Sequence, residues 1–311
     1  MTDNPPLIAI VGPTAAGKTA LSLHLAQDFD GEIISADSRQ IYRGLDIGTD
    51  KPTPEQLALA PHHLVDVVDP GDVLTLADFQ EQTYATINAI HARDRLPLLV
   101  GGTGQWVWAV IEGWGIPRVP PDPVLRAELE VEAKAIGPEA FHAQLAAVDP
   151  QAAQKLDPRN VRRVIRALEV YRKTGIPISR HQQKSSPPYH ILLIGLTRPR
   201  QQLYERIDQR IDRMMEQGLL VEIEGLVEAG YGWNLPAMSG LGYRQIGQYL
   251  QGEISLAEAV ALIKKETRRF VRQQYNWFRL DDSRIHWFEV GEGTNEEVYG
   301  QVKRVAESFG Q

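Results

Sequence analysis

The chain has 311 residues, 43% hydrophobic and 23% charged, with a formal net charge of −7. That is ordinary for a soluble globular protein and long enough for one large or two modest domains with ample core. The absence of cysteine excludes disulfides, thiolate metal sites and a thiol nucleophile. No apolar run reaches the length of a membrane span, and the opening MTDNPPLIAIVG lacks the basic start of a signal peptide. The expected compartment is therefore the cytoplasm. Taken alone, the negative charge argues against a nucleic-acid partner. Basic residues nevertheless cluster at Arg159–Arg180, Arg198–Arg213 and Lys264–Arg279, so a local basic surface stays open.

Short apolar runs at Leu7–Val11, Glu32–Ala36, Leu64–Val68, Leu96–Val100 and Ile191–Leu196 predict strands. They are near-continuous rather than alternating, as strands covered on both faces of a parallel sheet are. Helical patterns at Lys18–Phe29, Leu76–Arg93 and Gln105–Glu112 separate them, which is the order of a doubly wound α/β fold. From Pro117 to Pro188 the pattern changes. A proline-rich stretch leads into helices at Val124–Ile136, Pro138–Val148 and Val161–Thr174, and the polar stretch HQQKSSPPYH closes the segment. After Pro199 the chain reads as helices at about Arg200–Ala229, Gly240–Leu250, Leu256–Leu280 and Glu296–Ser308.

The segment Gly12-Pro13-Thr14-Ala15-Ala16-Gly17-Lys18-Thr19 fits G-x-x-x-x-G-K-[ST]. Glycines let successive backbone N–H groups turn onto phosphate oxygens, Lys18 adds a point charge, and the Thr19 hydroxyl can hold Mg²⁺. A strand precedes the motif and a helix follows it, so the positive end of that helix faces the anion. A nucleoside triphosphate is the default ligand of such a loop, but a diphosphate ester satisfies the same donors. The expected architecture is a P-loop-type parallel α/β sheet flanked by helices, formed by residues 1–116 and 190–311. An all-helical insertion domain at residues 117–189 interrupts it.

Asp37 follows the second strand, expected to lie next to the first, at the carboxyl edge where open α/β sheets bind ligands. It reads equally as a metal-holding or proton-accepting carboxylate and as a helix cap. Gly101-Gly102-Thr103-Gly104 follows the fourth strand. Its glycines suggest close backbone approach, with Thr103 offering a hydroxyl or simply making the turn. In Val161–Thr174, Val161, Val164, Ile165 and Leu168 form an apolar stripe, with Arg162, Arg163, Arg166 and Lys173 on other faces. His62-His63 lacks the spacing of a metal pair, and Trp106, Trp108, Met214 and Met215 read as packing.

The blocks GPTAAGKT, ISADSRQIYRGLDIGTDKP, PHHLVDVVDP and LLVGGTGQW, in this order, resemble the tRNA dimethylallyltransferase family. So do RRVIRALEVYRKTG, LYERIDQRIDRMMEQGLLVE, GLGYRQ and TRRFVRQQYNWFR, so that the likeness runs from about Ile8 to Arg279. Departures are Asp50, where the family more often has Ala, and Gln105-Trp106 for Leu-Tyr; neither is expected to touch the chemistry. The family's eukaryotic zinc finger is absent, which implies a bacterial-type member.

The resemblance implies that the phosphate loop holds the diphosphate of dimethylallyl diphosphate. Lys18, Mg²⁺ on Thr19, and Arg210 would stabilise the leaving group. Asp37 would be the general base and Thr103 would orient the exocyclic amine of the adenosine on the 3′ side of the anticodon, flipped from its stack. Arg206, one turn from Arg210, is read as a solvated flank paired with Glu205 and Asp208. The resemblance places contacts to the tRNA anticodon stem-loop at Asp37, Ser38, Arg39 and Gln40, at Thr103, and at Arg126, Arg162, Arg163 and Arg166. It adds Ser239, Gly240, Leu241, Gly242, Tyr243 and Arg244, with Arg39 or Gln40 reading a neighbouring base. A monomer is the default expectation. The rivals are an adenylate isopentenyltransferase, an ATP-dependent small-molecule kinase and a non-enzymatic P-loop RNA-binding module.

Overall fold

In the computed structural model, whose described residues are 4–309, six strands form one parallel sheet. They are β1 (Pro6–Val11), β2 (Gly31–Ser35), β3 (His62–His63), β4 (Leu96–Val100), β5 (His190–Thr197) and β6 (His286–Glu289). Their order is β3-β2-β4-β1-β5-β6. β1 and β2 are buried along most or all of their length, as the continuous apolar runs require.

The sheet corrects the sequence reading in two places. β2 does not lie beside β1, because β4 is inserted between them. Consecutive strands need not be neighbours, and sequence pattern carries no strand order. The strand expected at Leu64–Val68 is a turn, and the pairing residues are His62 and His63. Leu64 (φ 59°) and Asp66 (φ 55°) adopt left-handed backbone that extended structure excludes. The N–H groups of Asp66 and Val67 instead donate to the carbonyls of Gln40 and Ile41, at 3.1 and 2.8 Å.

Ahead of the helical segment lie α1 (Lys18–Asp28), α2 (Pro54–Leu59), α3 (Leu76–His91) and α4 (Gly104–Ile111). Within it lie α5 (Pro123–Ile136), α6 (Pro138–Val148), α7 (Pro150–Lys155), α8 (Val161–Thr174) and α9 (Ile178–His181). After β5 come α10 (Arg200–Glu216), α11 (Leu219–Glu228), α12 (Tyr243–Leu250), α13 (Leu256–Trp277) and α14 (Asn295–Phe309). The long helix expected at Arg200–Ala229 is two, because Gly218 takes φ 101° between them.

The backbone divides into two units, one of residues through Leu74, Phe79–Ile111 and those from Pro188 on, the other of Thr75–Asp78 and Glu112–Pro187. In the helical unit, side-chain caps start the helices: Asp122 on α5, Asp149 on α7 and Asn160 on α8. Its core joins Leu129, Phe141, Leu145, Val164, Ile165 and Leu168. Among the described residues no helix is long and apolar enough to cross a membrane.

Candidate active site

Three strand ends in the sheet-bearing unit build the site. The phosphate loop leaves β1, Asp37 follows β2, and Gly101–Thr103 follow β4, all on the carboxyl side of the sheet. Two glycines permit the approach. A Cβ on Gly12, whose φ is 136°, would overlap the Leu196 carbonyl oxygen, and one on Gly101 would overlap that of Ala36. β4 can therefore lie against the backbone that carries Asp37.

The phosphate loop is held from outside by its carbonyls. Lys18 Nζ donates to the carbonyls of Gly12 and Pro13 at 3.0 and 2.9 Å. Arg206 Nε donates to the Ala15 carbonyl at 3.0 Å, and buried Arg198 Nε to that of Ala16 at 3.0 Å. Arg206 is exposed, as expected of a flank, but does not pair with Glu205 or Asp208: Asp208 pairs with Arg268, and Glu205 accepts from Gln201 at 2.9 Å. With the Ala16 carbonyl turned toward Arg198, the Gly17 N–H of the same planar peptide points the opposite way. Burial brings the Lys18 ammonium down to a pKa of about 8, with Arg210 adding to the fall and Asp37 and Asp50 opposing it.

Two cavities open on these groups. One, of about 300 Å³, is lined by the phosphate loop with Lys18 and Thr19 and by Asp50, Arg206, Arg210 and Arg213. The other, of about 460 Å³, is lined by Ser38, Arg39, Thr103 and the segment Ser239–Arg244, with an apolar wall from Ile207, Ile211, Met214 and Leu219. Thr14, Asp37, Thr49, Gly102, Arg210 and Gln274 line both.

Asp37 sits at this junction. Its Oδ1 accepts the Arg39 N–H at 2.8 Å, which leaves Oδ2 directed to other partners. Thr103 Oγ1 accepts the Ser38 N–H at 3.2 Å, which ties the β4 edge to the residue after Asp37. Gln274 joins the two cavities. This buried residue of α13 accepts the Thr14 N–H at 2.9 Å and donates to the Gly102 carbonyl at 3.1 Å, tying the phosphate loop to the β4 edge.

The loop after Tyr42 is fixed by Glu222 of α11. Its carboxylate accepts the N–H groups of Asp46, Ile47 and Gly48 at 2.9, 2.6 and 3.2 Å, and the Tyr243 hydroxyl at 2.6 Å. Burial raises the Tyr243 phenol, and the Glu222 carboxylate raises it further. Asp50 contradicts its sequence reading, because its Oδ2 lies 3.3 Å from Arg210 Nη1 inside the smaller cavity. Trp106 lines neither cavity and packs on Phe79 with ring centroids 4.0 Å apart.

The residues expected to contact RNA fall into three sets. Ser239–Arg244 line the larger cavity, with Tyr243 buried as its wall. Arg39 and Gln40 are engaged internally. Arg39 donates to the Pro236 carbonyl and to Ser239 Oγ. Gln40 accepts from Ser35 Oγ at 2.8 Å and donates to the carbonyls of Thr49 and Asp50. In the helical unit, Arg126 and Arg166 converge on Glu169, whose side chain is fully buried. Burial alone would raise the Glu169 carboxyl, but hydrogen bonds from Arg126, the Asp122 N–H and Arg166 outweigh it and bring it below the usual range. Arg162 and Arg163 are exposed, and neither side chain has an ion-pair partner among the described residues.

The IPP transferase family model matches residues 40–281, and an isopentenyl transferase model matches residues 5–67. The chain belongs to the IPP transferase family. Membership makes it a transferase. The chain is 58% identical over 274 residues to the tRNA dimethylallyltransferase of Roseiflexus castenholzii, covering 88% of this chain and 90% of that protein. The crystal structure of the full-length tRNA isopentenylpyrophosphate transferase from Bacillus halodurans superposes with a TM-score of 0.74 at 40% identity, covering 98% and 96% of the two chains. A eukaryotic dimethylallyltransferase caught acting on tRNA superposes with a TM-score of 0.83 at 26% identity, over 98% of this chain and 78% of that one. The family's sheet and flanking helices are those described above.

Proposed function

We propose that this enzyme transfers the dimethylallyl group of dimethylallyl diphosphate to the exocyclic amine of the adenosine on the 3′ side of the anticodon in tRNA. The observation that supports it best is the pair of cavities meeting at Asp37: a cationic one built on a phosphate loop, and a larger one with an apolar wall and room for a base. The diphosphate occupies the first, held by the loop N–H groups, Lys18 and Arg210. The five-carbon chain lies toward Ile207, Ile211, Met214 and Leu219, and the adenine enters from the second.

The chemistry is a substitution at the allylic carbon. The amine nitrogen forms the new C–N bond, the C–O bond breaks, and the diphosphate leaves with its electron pair. Lys18 and Arg210 meet the charge that grows on it. An adenine amine is a weak nucleophile, since its lone pair is delocalised into the ring. Thr103 Oγ1 accepts a hydrogen bond from one amine N–H, which stays on the nitrogen and orients it, and Asp37 Oδ2 takes the other proton as the C–N bond forms. The Arg39 N–H on Asp37 Oδ1 fixes the carboxylate for this.

The donor set fits a magnesium ion. The Thr19 hydroxyl and the carboxylates of Asp37 and Asp50 line the diphosphate cavity. Among the described residues no cluster of three or more acidic or histidine side chains would hold a cation unaided. Mg²⁺ ordinarily takes one or two protein oxygens and completes its shell with water and phosphate. Thr19 would hold it, and when bound it would neutralise charge on the diphosphate.

The RNA stem-loop meets Ser239–Arg244, Ser38 and Thr103 at the reacting end and Arg162 and Arg163 of the helical unit. The proposal includes a cytoplasmic, monomeric enzyme. The test is transfer of radiolabel from dimethylallyl diphosphate, with Mg²⁺, to unmodified tRNA, with AMP and ATP as parallel acceptors. Label on the tRNA alone is expected. Label on a free nucleotide would make the enzyme an adenylate isopentenyltransferase, and no label from folded protein would remove prenyl transfer altogether.

A further inference from the structure

We propose that Asp50 tunes the affinity of the site for the donor by standing in for its diphosphate. It pairs with Arg210 and competes with the diphosphate for that guanidinium, and so makes donor binding an exchange of one anion for another. The inference rests on the diphosphate cavity assigned above.

The two partners differ in freedom. Asp50 is carried on a fixed loop. Its N–H donates to the Ile47 carbonyl at 3.1 Å, and its own carbonyl accepts Gln40 Nε2 at 3.1 Å. The N–H groups of residues 46 to 48 end on Glu222. The backbone of Asp50 is left-handed, with φ 54°, a conformation that Asp and Asn tolerate better than other residues with a Cβ. Arg210 projects from α10 on a long flexible stem. Its Nη1 lies 3.3 Å from Asp50 Oδ2, with the two side chains 23% and 57% exposed. That is longer than a well-formed charge-assisted bond of about 2.8 Å, and half-exposed pairs are weak. A diphosphate on the phosphate loop carries more charge than one carboxylate and lies in the same cavity, so it takes the guanidinium. Asp50 then faces the bound diphosphate with a like charge. Donor and released diphosphate are both held less tightly than the loop, Lys18 and Arg210 alone would hold them.

Asp50→Asn removes the charge and keeps a residue suited to the left-handed backbone. The test is calorimetric binding of inorganic pyrophosphate to full-length wild type, D50N, Arg210→Gln and the double variant, with and without Mg²⁺. D50N is expected to bind pyrophosphate about twofold to tenfold more tightly at low salt, the range set by one partly exposed charge. The gain should fade in about 1 M salt, where screening acts over roughly 3 Å. It should be smaller in the R210Q background, where only the like-charge repulsion of Asp50 is left to relieve, and an equal gain in both backgrounds would overturn the exchange. The KM for dimethylallyl diphosphate should drop with it, a change that a merely structural role for Asp50 would not produce. Unchanged affinity in D50N would overturn the proposal. Weaker binding in D50N with Mg²⁺ would overturn it too, by making Asp50 a support for the cation. A wild type that binds no pyrophosphate would sink the diphosphate reading of the cavity, and this inference with it.

Discussion

The two units use their arginines in opposite ways. In the sheet-bearing unit, Arg198 and Arg206 reach the phosphate-loop carbonyls, and Arg210 meets a carboxylate that faces open cavity. These cations shape a site whose anionic ligand comes from outside. In the helical unit, Arg126 and Arg166 both close on Glu169, an anion the chain supplies itself, and the exposed flank of α8 offers charge without an ion-pair partner at Arg162 and Arg163. These arginines therefore mark a ligand site in one place and a buried structural knot in the other, and Arg93 and Arg95 around buried Glu32 repeat the knot within the sheet-bearing unit. What separates them is whether the carboxylate within reach is buried, as Glu169 is, or faces open cavity, as Asp50 does.

The comparison is broken most severely where the chemistry is concentrated. Asp37→Asn should lower transfer by about 10²–10⁴-fold, the usual span for a lost general base. Pyrophosphate binding should survive, since the loop and Lys18 stay in place. A loss of pyrophosphate binding as large as the loss of transfer would make Asp37 a ligand-holding group instead. In the helical unit, Glu169→Ala should cost about 3–5 kcal/mol of stability, because it strands two guanidinium groups built around one buried carboxylate. Thermal or denaturant unfolding measures it. A loss under 1 kcal/mol would show that solvent satisfies both arginines and that the knot is no more than a surface pair.

A third change tests the tie between donor and acceptor edges. Gln274→Met keeps the length of the side chain but removes both hydrogen bonds, to the Thr14 N–H and the Gly102 carbonyl. Loss of register between leaving group and amine should lower kcat by about tenfold to a hundredfold, with a smaller change in KM for the donor. Equal kcat in wild type and variant would reduce Gln274 to packing. Lys18 sets a pH limit on the same loop. Its folded pKa near 8 lies below the ordinary lysine value of 10.5, so between these values the unfolded chain binds more protons than the fold. Stability of the ligand-free protein should therefore rise with pH across that window. A diphosphate requires the charged lysine, so pyrophosphate affinity should fall as pH rises above about 8, by up to about tenfold per unit, with proton uptake seen by calorimetry in buffers of different ionisation heat. A flat profile would show that Lys18 stays protonated without its ligand.

How far these features could be read from sequence depends on how far apart their parts lie in the chain. The phosphate loop is eight contiguous residues with a strand before and a helix after, so pattern alone locates it. Asp37 and Thr103 were visible because each closes an apolar strand, and strand ends of a parallel sheet gather on one edge. Strand order was not visible, and Asp37 was set one strand too close to the loop. Arg198, Glu222 and Gln274 were missed because their partners lie 182, 174 to 176 and 260 positions away. One local signal existed. In α13 the buried positions Ile263, Val271 and Gln274 lead on to buried Phe278, so Gln274 is a polar residue on an apolar stripe, where a buried amide needs partners. Arg206 was assigned to solvent because Glu205 and Asp208 are its neighbours in sequence, but those carboxylates turn to Gln201 and Arg268. In α8 the stripe of Val164, Ile165 and Leu168 was legible from its period. The Arg166–Glu169 pair, three positions apart on one helix, was legible too and went unread, whereas the capture of Arg126 from 43 positions away was not legible.

The smallest expected effect separates the two arginine populations within the helical unit itself. Arg162 and Arg163 are exposed and unpaired, so replacing both with Ala should leave stability within about 0.5 kcal/mol. Each should remove about one cation from an RNA contact, lowering affinity for an anticodon stem-loop a few-fold and reducing the slope of log affinity against log salt by about 0.7–0.9 per residue removed. Arg126→Ala should do the reverse, costing stability through the uncompensated Glu169 while leaving the salt slope of the remaining folded protein nearly unchanged. Melting curves and filter-binding titrations on the same three proteins decide it. If R126A flattens the salt slope as much as the double replacement does, the knot around Glu169 also faces RNA, and the division between structural and ligand-seeking arginines fails in this unit.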